Sequence, residues 1–251
     1  MTALLRRAFL CASLALTALG ALPAAHAAAP PRYKTNLPPP AELEYAIKAR
    51  QKGISLGGSA VVHWHTAGDT FSIVTETHAQ LLGKIMEART DGTIERYGLA
   101  PRTFQEKRFG KAPTETIFDR NTGTIRFSAS EATYPIQGGE QDRNSIVWQL
   151  VAVARAAPAR FKPGSEWTFV VAGQRDAETW TFKVGKAARL KTALGTIDTL
   201  QVTRMPPDGK GRQLDIWLAP KRGWYPARLR FVDAEEGDTI DQTLTRLDEK
   251  A

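Results

Sequence analysis

The sequence predicts an all-β protein with one helix, in which a curved antiparallel sheet or open β-barrel packs against a single buried helix. Three observations predict this class. Apolar and polar residues alternate along most of the chain, as in strands with one buried face. Turn signals containing glycine recur at short intervals between these runs. One segment, between Asp142 and Pro158, is instead apolar on nearly every side of a helix.

The first residues have the pattern of an export signal. Arg6 and Arg7 precede an uncharged, largely apolar run, residues 8–22, and Ala25-His26-Ala27 has the small-x-small form of a cleavage site. The run is shorter than the roughly 20 residues that a retained membrane anchor needs. We therefore expect residues 1–27 to be a signal peptide, cleaved after Ala27, and the mature protein to be periplasmic and not membrane-spanning.

The only cysteine, Cys11, lies inside this apolar run. Phe9 and Leu10 precede it, whereas a lipid-attachment signal has small residues there, so a lipid anchor is not expected. A mature chain without cysteine excludes disulfides, a cysteine nucleophile and thiolate metal sites. Removing 27 of the 251 residues leaves 224. We expect a proline-rich, extended lead-in over residues 28–40 and one β-rich domain over residues 41–251.

The mature chain is basic. Without Arg6 and Arg7, 32 basic residues stand against 26 acidic ones. This balance favours anionic neighbours in the cell envelope, such as lipid head groups, although a general contribution to solubility is an equally simple explanation. No nucleic-acid-binding motif accompanies the charge, so no nucleic-acid partner is expected. The sequence does not predict an oligomeric state.

The strands begin at residue 41. Leu43, Tyr45 and Ile47 alternate with charged residues, and the next strand carries Trp64 on its apolar face. A turn at Ala67-Gly68 predicts a hairpin in which Trp64 lies opposite Phe71, Val62 opposite Ile73, and His78 opposite Gly57.

Further strands are predicted wherever an apolar run lies between turn signals. The runs are residues 115–119, 124–128, 167–171, 179–184, 196–204, 214–218, 227–232 and 239–247. The turn signals are Asp91-Gly92, Phe109-Gly110, Asn121-Thr122-Gly123, Gly173, Gly185, Gly195, Asp208-Gly209, Gly223 and Gly237-Asp238.

The single helix is predicted to start at Asp142, whose carboxylate suits an N-cap. Its apolar residues leave little polar surface, so we expect it on the concave face of the sheet or in the mouth of a barrel. Gly138-Gly139 before the helix leave a second interpretation open, in which the helix start and Arg143 bind an anionic group. The alternatives are a structural cap and a ligand contact.

Several short motifs together resemble the DUF3108 family of exported bacterial proteins. They are Gly98-Leu99-Ala100-Pro101 with Phe104, Phe118-Asp119-Arg120, Gln141-Asp142-Arg143-Asn144-Ser145 with Gln149-Leu150, Trp217-Leu218-Ala219-Pro220 with Gly223 and Pro226, and Asp241-Gln242-Thr243-Leu244. The resemblance implies a periplasmic β-rich domain with a helix against its sheet, a layout similar to that of envelope lipoprotein carriers. It supplies no catalytic residues, and a shared fold does not fix a function.

The tryptophans are the leading candidates for a ligand site. Trp64, Trp148 and Trp217 are predicted to line a cavity in the concave face, whereas Trp224-Tyr225 are expected at an exposed rim. The predicted ligand-binding residues are therefore Trp64, Trp148, Trp217 and Arg143. A plain aromatic core is the alternative.

Catalytic and metal sites find little support. His63 and His65 share one face of a strand, but His78 lies about 20 Å along it, so the three cannot hold one ion. We expect no metal and no cofactor. Gly57-Gly58-Ser59 lies within a strand and lacks the setting of a serine nucleophile, and nucleotide-binding loops are absent from the sequence. No catalytic residue is assigned.

The sequence thus predicts a non-enzymatic periplasmic protein that binds a lipid-like or amphipathic envelope component, or a partner protein. Two alternatives remain. One is an envelope scaffold without a small ligand, which a solid core with an exposed apolar patch would favour. The other is a hydrolase of a cell-wall polymer, which paired carboxylates in a cleft would favour.

Overall fold

A computed structural model describes residues 33–204, 206 and 212–250. It contains one sheet of fifteen strands and one helix, which confirms the predicted class of a large open β-sheet with a single helix. The predicted signal peptide lies outside the described residues. The strands are β1 Ala41–Gln51, β2 Ile54–Ala67, β3 Thr70–Ala79, β4 Gly83–Glu95, β5 Gly98–Arg108, β6 Thr114–Asp119, β7 Thr124–Phe127, β8 Ser130–Pro135, β9 Gln141–Asp142, β10 Glu166–Ala172, β11 Ala177–Thr192, β12 Gly195–Arg204, β13 Arg212–Leu218, β14 Pro226–Asp233 and β15 Asp238–Glu249. The helix α1 is Ile146–Ala156.

The sheet consists of two series of sequential strands that pair with each other at its centre. Strands β1 to β8 follow one another outward on one side, and β15 back to β9 follow one another on the other side. The two halves meet where β1 pairs with β15. Neighbouring strands are antiparallel except β9 and β10, which are parallel. The edge strands β8 and β9 do not pair with each other, so the sheet stays open.

The sheet curls until β9 and the turn after β10 reach β4, β5 and β6. Side-chain hydrogen bonds, and not backbone pairing between strands, connect the two sides of the sheet at this point. The amide of Gln141 donates to the Leu99 carbonyl at 2.7 Å, and the Thr116 hydroxyl donates to the Gly173 carbonyl at 2.8 Å. The short parallel strand β9 is therefore held to the far side of the sheet by its own side chain.

Helix α1 occupies only part of the concave face. We call the end of the sheet where β1, β3 and β5 finish the lower end, and the opposite end the upper end. The helix N-terminus lies near Ile73 and Thr75, in the middle of β3, because Asn144 bonds to both residues. The helix C-terminus lies at the upper end, where Arg155 donates to the Gly223 carbonyl at 3.0 Å. Among the described residues, the lower part of the concave face therefore has no helix over it.

Residues 33–40 pack over the upper end of the domain. The Asn36 amide donates to the Ala152 carbonyl of the helix at 2.9 Å. The indole of Trp64 donates to the Pro38 carbonyl at 3.1 Å, and the Tyr225 hydroxyl donates to the Pro39 carbonyl at 2.7 Å. This part of the predicted lead-in is therefore a strap across the core and not a free spacer.

The first predicted hairpin has the wrong register. Trp64 lies opposite Ile73 and Thr66 opposite Phe71, so the pairing is shifted by two residues from the predicted one. His78 consequently lies opposite Ser59 and not Gly57. The reason is the position of the turn, which is formed by Gly68 and Asp69 and therefore lies one residue later than the sequence suggested.

Two predicted turns are irregularities inside strands. Asp91-Gly92 lies within β4, at a register shift against β5, and Gly185 lies within β11, at a shift against β12. A β-bulge uses glycine for the same steric reasons as a turn does, so the two cannot be told apart locally. A Cβ at Gly92 would be 2.4 Å from the Ala100 carbonyl oxygen. The predicted turn at Asp208-Gly209 lies outside the described residues.

Candidate functional site

Asp142 is not the N-cap of the helix. It lies in β9, and the N-cap is Ser145, which makes no side-chain capping bond. One carboxylate oxygen of Asp142 accepts from the backbone N–H of Asn144 at 2.8 Å and of Ser145 at 2.9 Å. The same oxygen accepts the Thr90 hydroxyl at 2.9 Å. The carboxylate therefore shapes the turn between strand and helix and ties that turn to β4.

Burial governs the charge of Asp142. The residue is fully buried, and the loss of water raises its pKa to about 6, against the opposing effect of its hydrogen bonds to Ser145, Thr90 and Asn144. Its second carboxylate oxygen has no hydrogen-bond partner. Near the preceding glycines, the Gly138 N–H donates to the Glu140 carboxylate at 2.9 Å. Protein carboxylates thus already occupy donors that an anion at this helix start would use.

We expect Asp142→Asn to change how stability depends on pH. The folded-state pKa of Asp142 is raised from 3.8 to about 6, so its contribution to stability is full below pH 3.8 and is lost as the pH rises through 6. Asparagine does not ionise, so the variant has no such pH-dependent loss of stability at this position. Relative to wild type, its free energy of unfolding should rise by about 2–3 kcal/mol between pH 4 and pH 7. Urea unfolding at several pH values measures this, and a constant difference would contradict it.

Two glutamines of the family-like motifs meet at one residue. The Gln149 side-chain oxygen accepts from the Leu99 N–H at 3.0 Å, and the Gln141 amide donates to the Leu99 carbonyl. Strand β6 pairs with β5 only from Thr103 onward, so Leu99 has no strand neighbour on that side. The glutamines supply the hydrogen bonds that a strand would make. Gly98, at φ +94, is needed there because a Cβ would lie 2.5 Å from the Gln149 oxygen.

Trp64 and Trp148 are brought together, as predicted, but inside a packed core. Their rings stack at 4.7 Å with an interplanar angle of 13°, and they are 2% and 3% exposed. Tyr225 packs edge-on against Trp148 at 6.2 Å and is fully buried, so its predicted place at an exposed rim is wrong. A ligand contact by the two tryptophans stays a prediction, and it would require this core to open.

Trp217 lies on the other face of the sheet. It alternates along β13 with Leu214, Ile216 and Leu218, which belong to the concave core. The guanidinium of Arg228 covers the Trp217 ring at 4.7 Å, and Arg228 is itself held by an ion pair with Asp241. Trp217 therefore does not share a site with Trp64 and Trp148.

The open part of the concave face carries a continuous row of side chains across seven strands. Residues directly opposite in antiparallel pairs share a face, and the register gives the row Phe182, Arg204, Leu214, Phe231, Ile240, Ala49 and Leu56. Its first three members are buried, its next three are half-buried, and Leu56 is 45% exposed. We call the four outer members the apolar ledge.

Arg204 is the one charged member of this row. It is 6% exposed, and its guanidinium lies over the Trp180 ring at 4.6 Å. It donates to the Arg212 carbonyl at 2.7 Å and to Glu178 at 3.2 Å, whereas its Nε and the Trp180 indole nitrogen have no partner. Desolvation, with the charge of Arg143, lowers the Arg204 pKa, against the opposing effect of Glu178.

Arg143 lies at the same lower end, close enough for its charge to act on Arg204. Its side chain is 43% exposed and lies 3.8 Å from Asp176. Of the four predicted ligand residues, the structure thus puts two in the upper core, one on the convex face and one, Arg143, near Arg204 at the other end of the row from Leu56. Sequence reasoning missed Arg204, although an arginine at an apolar position of a strand pattern was a usable signal.

Within the described residues, no group of three or more His, Cys, Asp or Glu side chains is placed to hold a metal ion. His63 contacts Glu42 at 3.2 Å and His78 contacts Glu76 at 3.5 Å. In the same part of the chain, a helix with the length and sustained apolar character of a membrane span is not found.

Comparisons with known proteins give a family and a fold. The model of DUF3108, a protein family of unknown function, matches residues 44–245. No functionally curated protein matches the chain. Among solved structures, a β-barrel-like protein of the domain of unknown function DUF1849 from Brucella abortus is similar, with a TM-score of 0.52 and 12% identity. That match covers 86% of this chain and 100% of the other.

Two lipoproteins are more distant. The Mycobacterium tuberculosis lipoprotein LppX matches with a TM-score of 0.30 and 11% identity, over 84% of this chain and 87% of its own. The hypothetical lipoprotein YmcC from Escherichia coli matches with a TM-score of 0.32 and 13% identity, over 82% and 83% of the two chains. The comparison with the Brucella protein supports the fold, and none of them transfers a site.

Proposed function

The chain belongs to the DUF3108 family, whose function is unknown, and we propose that it is a non-enzymatic periplasmic protein that binds an amphipathic, lipid-like envelope molecule at the lower end of its concave face. The observation that carries the proposal is the apolar ledge, in which Phe231, Ile240 and Ala49 are half-buried against the core and Leu56 is exposed. The export pattern of residues 1–27 supports the location.

The ledge suits an acyl chain. Its four side chains lie in one row on adjacent strands, so they offer a continuous apolar surface about three strand spacings wide, on the order of 14 Å. Half-buried apolar side chains on a concave surface gain from covering by an apolar ligand, because water is then removed from both. The upper core is already filled by Trp64 and Trp148, so the ledge is the part of the concave face that is open to a ligand.

The charges beside the ledge favour a ligand with an anionic group. Arg204 puts a positive charge at the buried end of the row, and Arg143 puts a half-exposed one nearby. A guanidinium prefers carboxylate and phosphate groups because its N–H donors match their oxygens. The proposed ligand therefore has an apolar chain on the ledge and an anionic head toward Arg143.

Binding of a fluorescent fatty acid, cis-parinaric acid, to the mature protein tests this proposal. We expect Leu56→Glu to lower its affinity by at least tenfold, because the acyl chain would have to desolvate a carboxylate on the ledge. The matched control is Ser55→Glu, which adds the same charge to the other face of the same strand, where Ser55 is exposed. Equal affinity in both variants would contradict a site on the ledge.

Native mass spectrometry of protein purified from its own periplasm gives the second measurement. We expect a bound amphiphile in the wild type and in Ser55→Glu. The Leu56→Glu variant should carry none. Protein that carries no amphiphile and does not bind the fatty acid would reject the proposal and favour the scaffold alternative.

A further inference from the structure

Large apolar side chains are exposed at three turns of the lower end. These turns join β1 to β2, β3 to β4 and β5 to β6, which are consecutive hairpins of the meander. The side chains, which we call the apolar tips, are Ile54 at 64% exposure, Leu81 at 93%, Leu82 at 63% and Phe109 at 67%. With Leu56 of the ledge, they are all of the large exposed apolar residues in the described part of the chain.

The turns themselves do not require these residues. Each turn has its own glycine at positive φ, namely Gly53, Gly83 and Gly110, so the backbone needs no help from a leucine or phenylalanine. None of the tips belongs to a core cluster of the described residues. Hairpin turns are usually polar, and apolar residues at several neighbouring tips of one end mark a surface that meets another apolar phase.

Basic residues surround the tips. Lys52 and Lys84 flank the first two turns, and Lys107, Arg108 and Lys111 flank the third. Lys84 and Arg108 are ion-paired to glutamates. Lys107 and Lys111 have no carboxylate within ion-pair distance among the described residues, so their charges act outward, whereas Lys52 lies beside the Asp238 carboxylate.

One neighbouring turn has the opposite charge. The turn between β14 and β15 is also at the lower end and carries Asp233, Glu235, Glu236 and Asp238. Asp233 is paired with Arg212, and the Asp238 carboxylate accepts the Lys52 N–H. An anionic surface would therefore be approached by the β1–β6 hairpins and avoided by this turn, which gives the docked protein a defined tilt.

We propose that the three hairpin turns dock the protein on the surface of an anionic phospholipid bilayer. The apolar tips enter the boundary between head groups and acyl chains, and the free lysines contact anionic head groups, which is the combination that holds peripheral proteins on membranes. A protein partner would need separate pockets for tips on three different turns, whereas a bilayer accepts them together. This docking holds whether or not the ledge binds a ligand.

Flotation with lipid vesicles tests the docking. The mature wild-type protein should float with vesicles of phosphatidylcholine and phosphatidylglycerol at 7:3, and not with pure phosphatidylcholine. Since each basic residue near an anionic surface strengthens binding by about fivefold, Lys107→Ala and Lys111→Ala should each weaken it by about that factor. The matched control, Arg96→Ala, removes an exposed charge at the upper end, in the turn between β4 and β5, and should bind as wild type does.

The double variant Leu81→Ser, Leu82→Ser tests the tips. Because both side chains are exposed, its melting temperature should equal that of wild type, while its partition to the mixed vesicles should fall at least tenfold. Unchanged flotation of this variant, or no flotation of the wild type, would overturn the proposal. A self-association of wild type in sedimentation that the double variant loses, without vesicle binding, would also overturn it in favour of a protein interface.

Ligand binding on the ledge and docking on a bilayer are tested by different variants, so either proposal can be rejected without the other. The double variant should keep cis-parinaric acid affinity, because the tips do not belong to the ledge. Leu56→Glu should lose the fatty acid even when vesicles are absent. Loss of flotation with intact fatty-acid binding therefore concerns docking only.

Discussion

Replacing Trp148 by alanine is expected to lower the free energy of unfolding by about 3–5 kcal/mol, the usual cost of deleting a large buried aromatic side chain. Trp148 is 3% exposed and stacks on Trp64 at 4.7 Å. It also packs against Tyr225, so its loss opens a cavity between the helix, β2 and the strap of residues 33–40. Urea unfolding followed by fluorescence and by circular dichroism measures the change.

Phe109→Ala is the matched control. Phe109 is also aromatic and is 67% exposed at a turn, so its removal should change stability by no more than about 0.5 kcal/mol. A Trp148→Ala variant as stable as Phe109→Ala would mean that the helix does not fill the upper core. It would also restore Trp64 and Trp148 as lining of an open site.

Gln149→Leu is expected to cost about 2–6 kcal/mol, although leucine has a similar size and is apolar. Gln149 is 1% exposed. Its side chain accepts from the Leu99 N–H at 3.0 Å and donates to the Tyr97 carbonyl at 2.6 Å. A leucine leaves that backbone donor and that acceptor without these bonds, and each unsatisfied buried group costs about 1–3 kcal/mol.

Gln105→Leu is the control for this second change. Gln105 lies on the same strand as Leu99 and donates to Glu115 at 2.8 Å, but that bond is exposed and water replaces it. The two variants are compared by chemical denaturation, together with hydrogen exchange at Leu99. A Gln149→Leu variant with wild-type stability and a protected Leu99 amide would contradict the account of the glutamines as a substitute for a strand.

The fold class was predictable because the sequence signals that determine it are local. Alternation with a period of two, as in Leu43, Tyr45 and Ile47, reports one buried face, and the all-round apolar helix reports its own burial. Most strand runs therefore appear in the structure with ends changed by a few residues; the predicted 179–184 is the main exception, since β11 extends over Ala177–Thr192. The register of β2 with β3 depended on one turn position, and a shift of one residue there moved every pair by two.

The candidate site was less predictable, because it is assembled across the sheet. Arg204, Phe231 and Leu56 lie in three separate parts of the sequence and meet only through the register of seven strands. Asp142 was predicted to be the N-cap but lies in β9, and its bond to Thr90 spans 52 positions and has no local signature. The aromatic residues were predicted to be near one another, and Trp64 and Trp148 are, yet pattern alone could not say that strands and helix would close over them.

The pairing of β1 with β15 sets the order in which the chain can fold. Ala41 lies opposite Glu249, so the ladder that joins the two halves of the sheet connects nearly the first and last described residues. A protein that crosses a membrane from its N-terminus would have β1 available long before β15 emerges, and contacts so distant in sequence form slowly. We expect β1 to β8 to assemble first as a hairpin array in which the β1 edge still lacks its partner β15. At that exposed edge, a chaperone or aggregation would compete with folding until the last strand arrives.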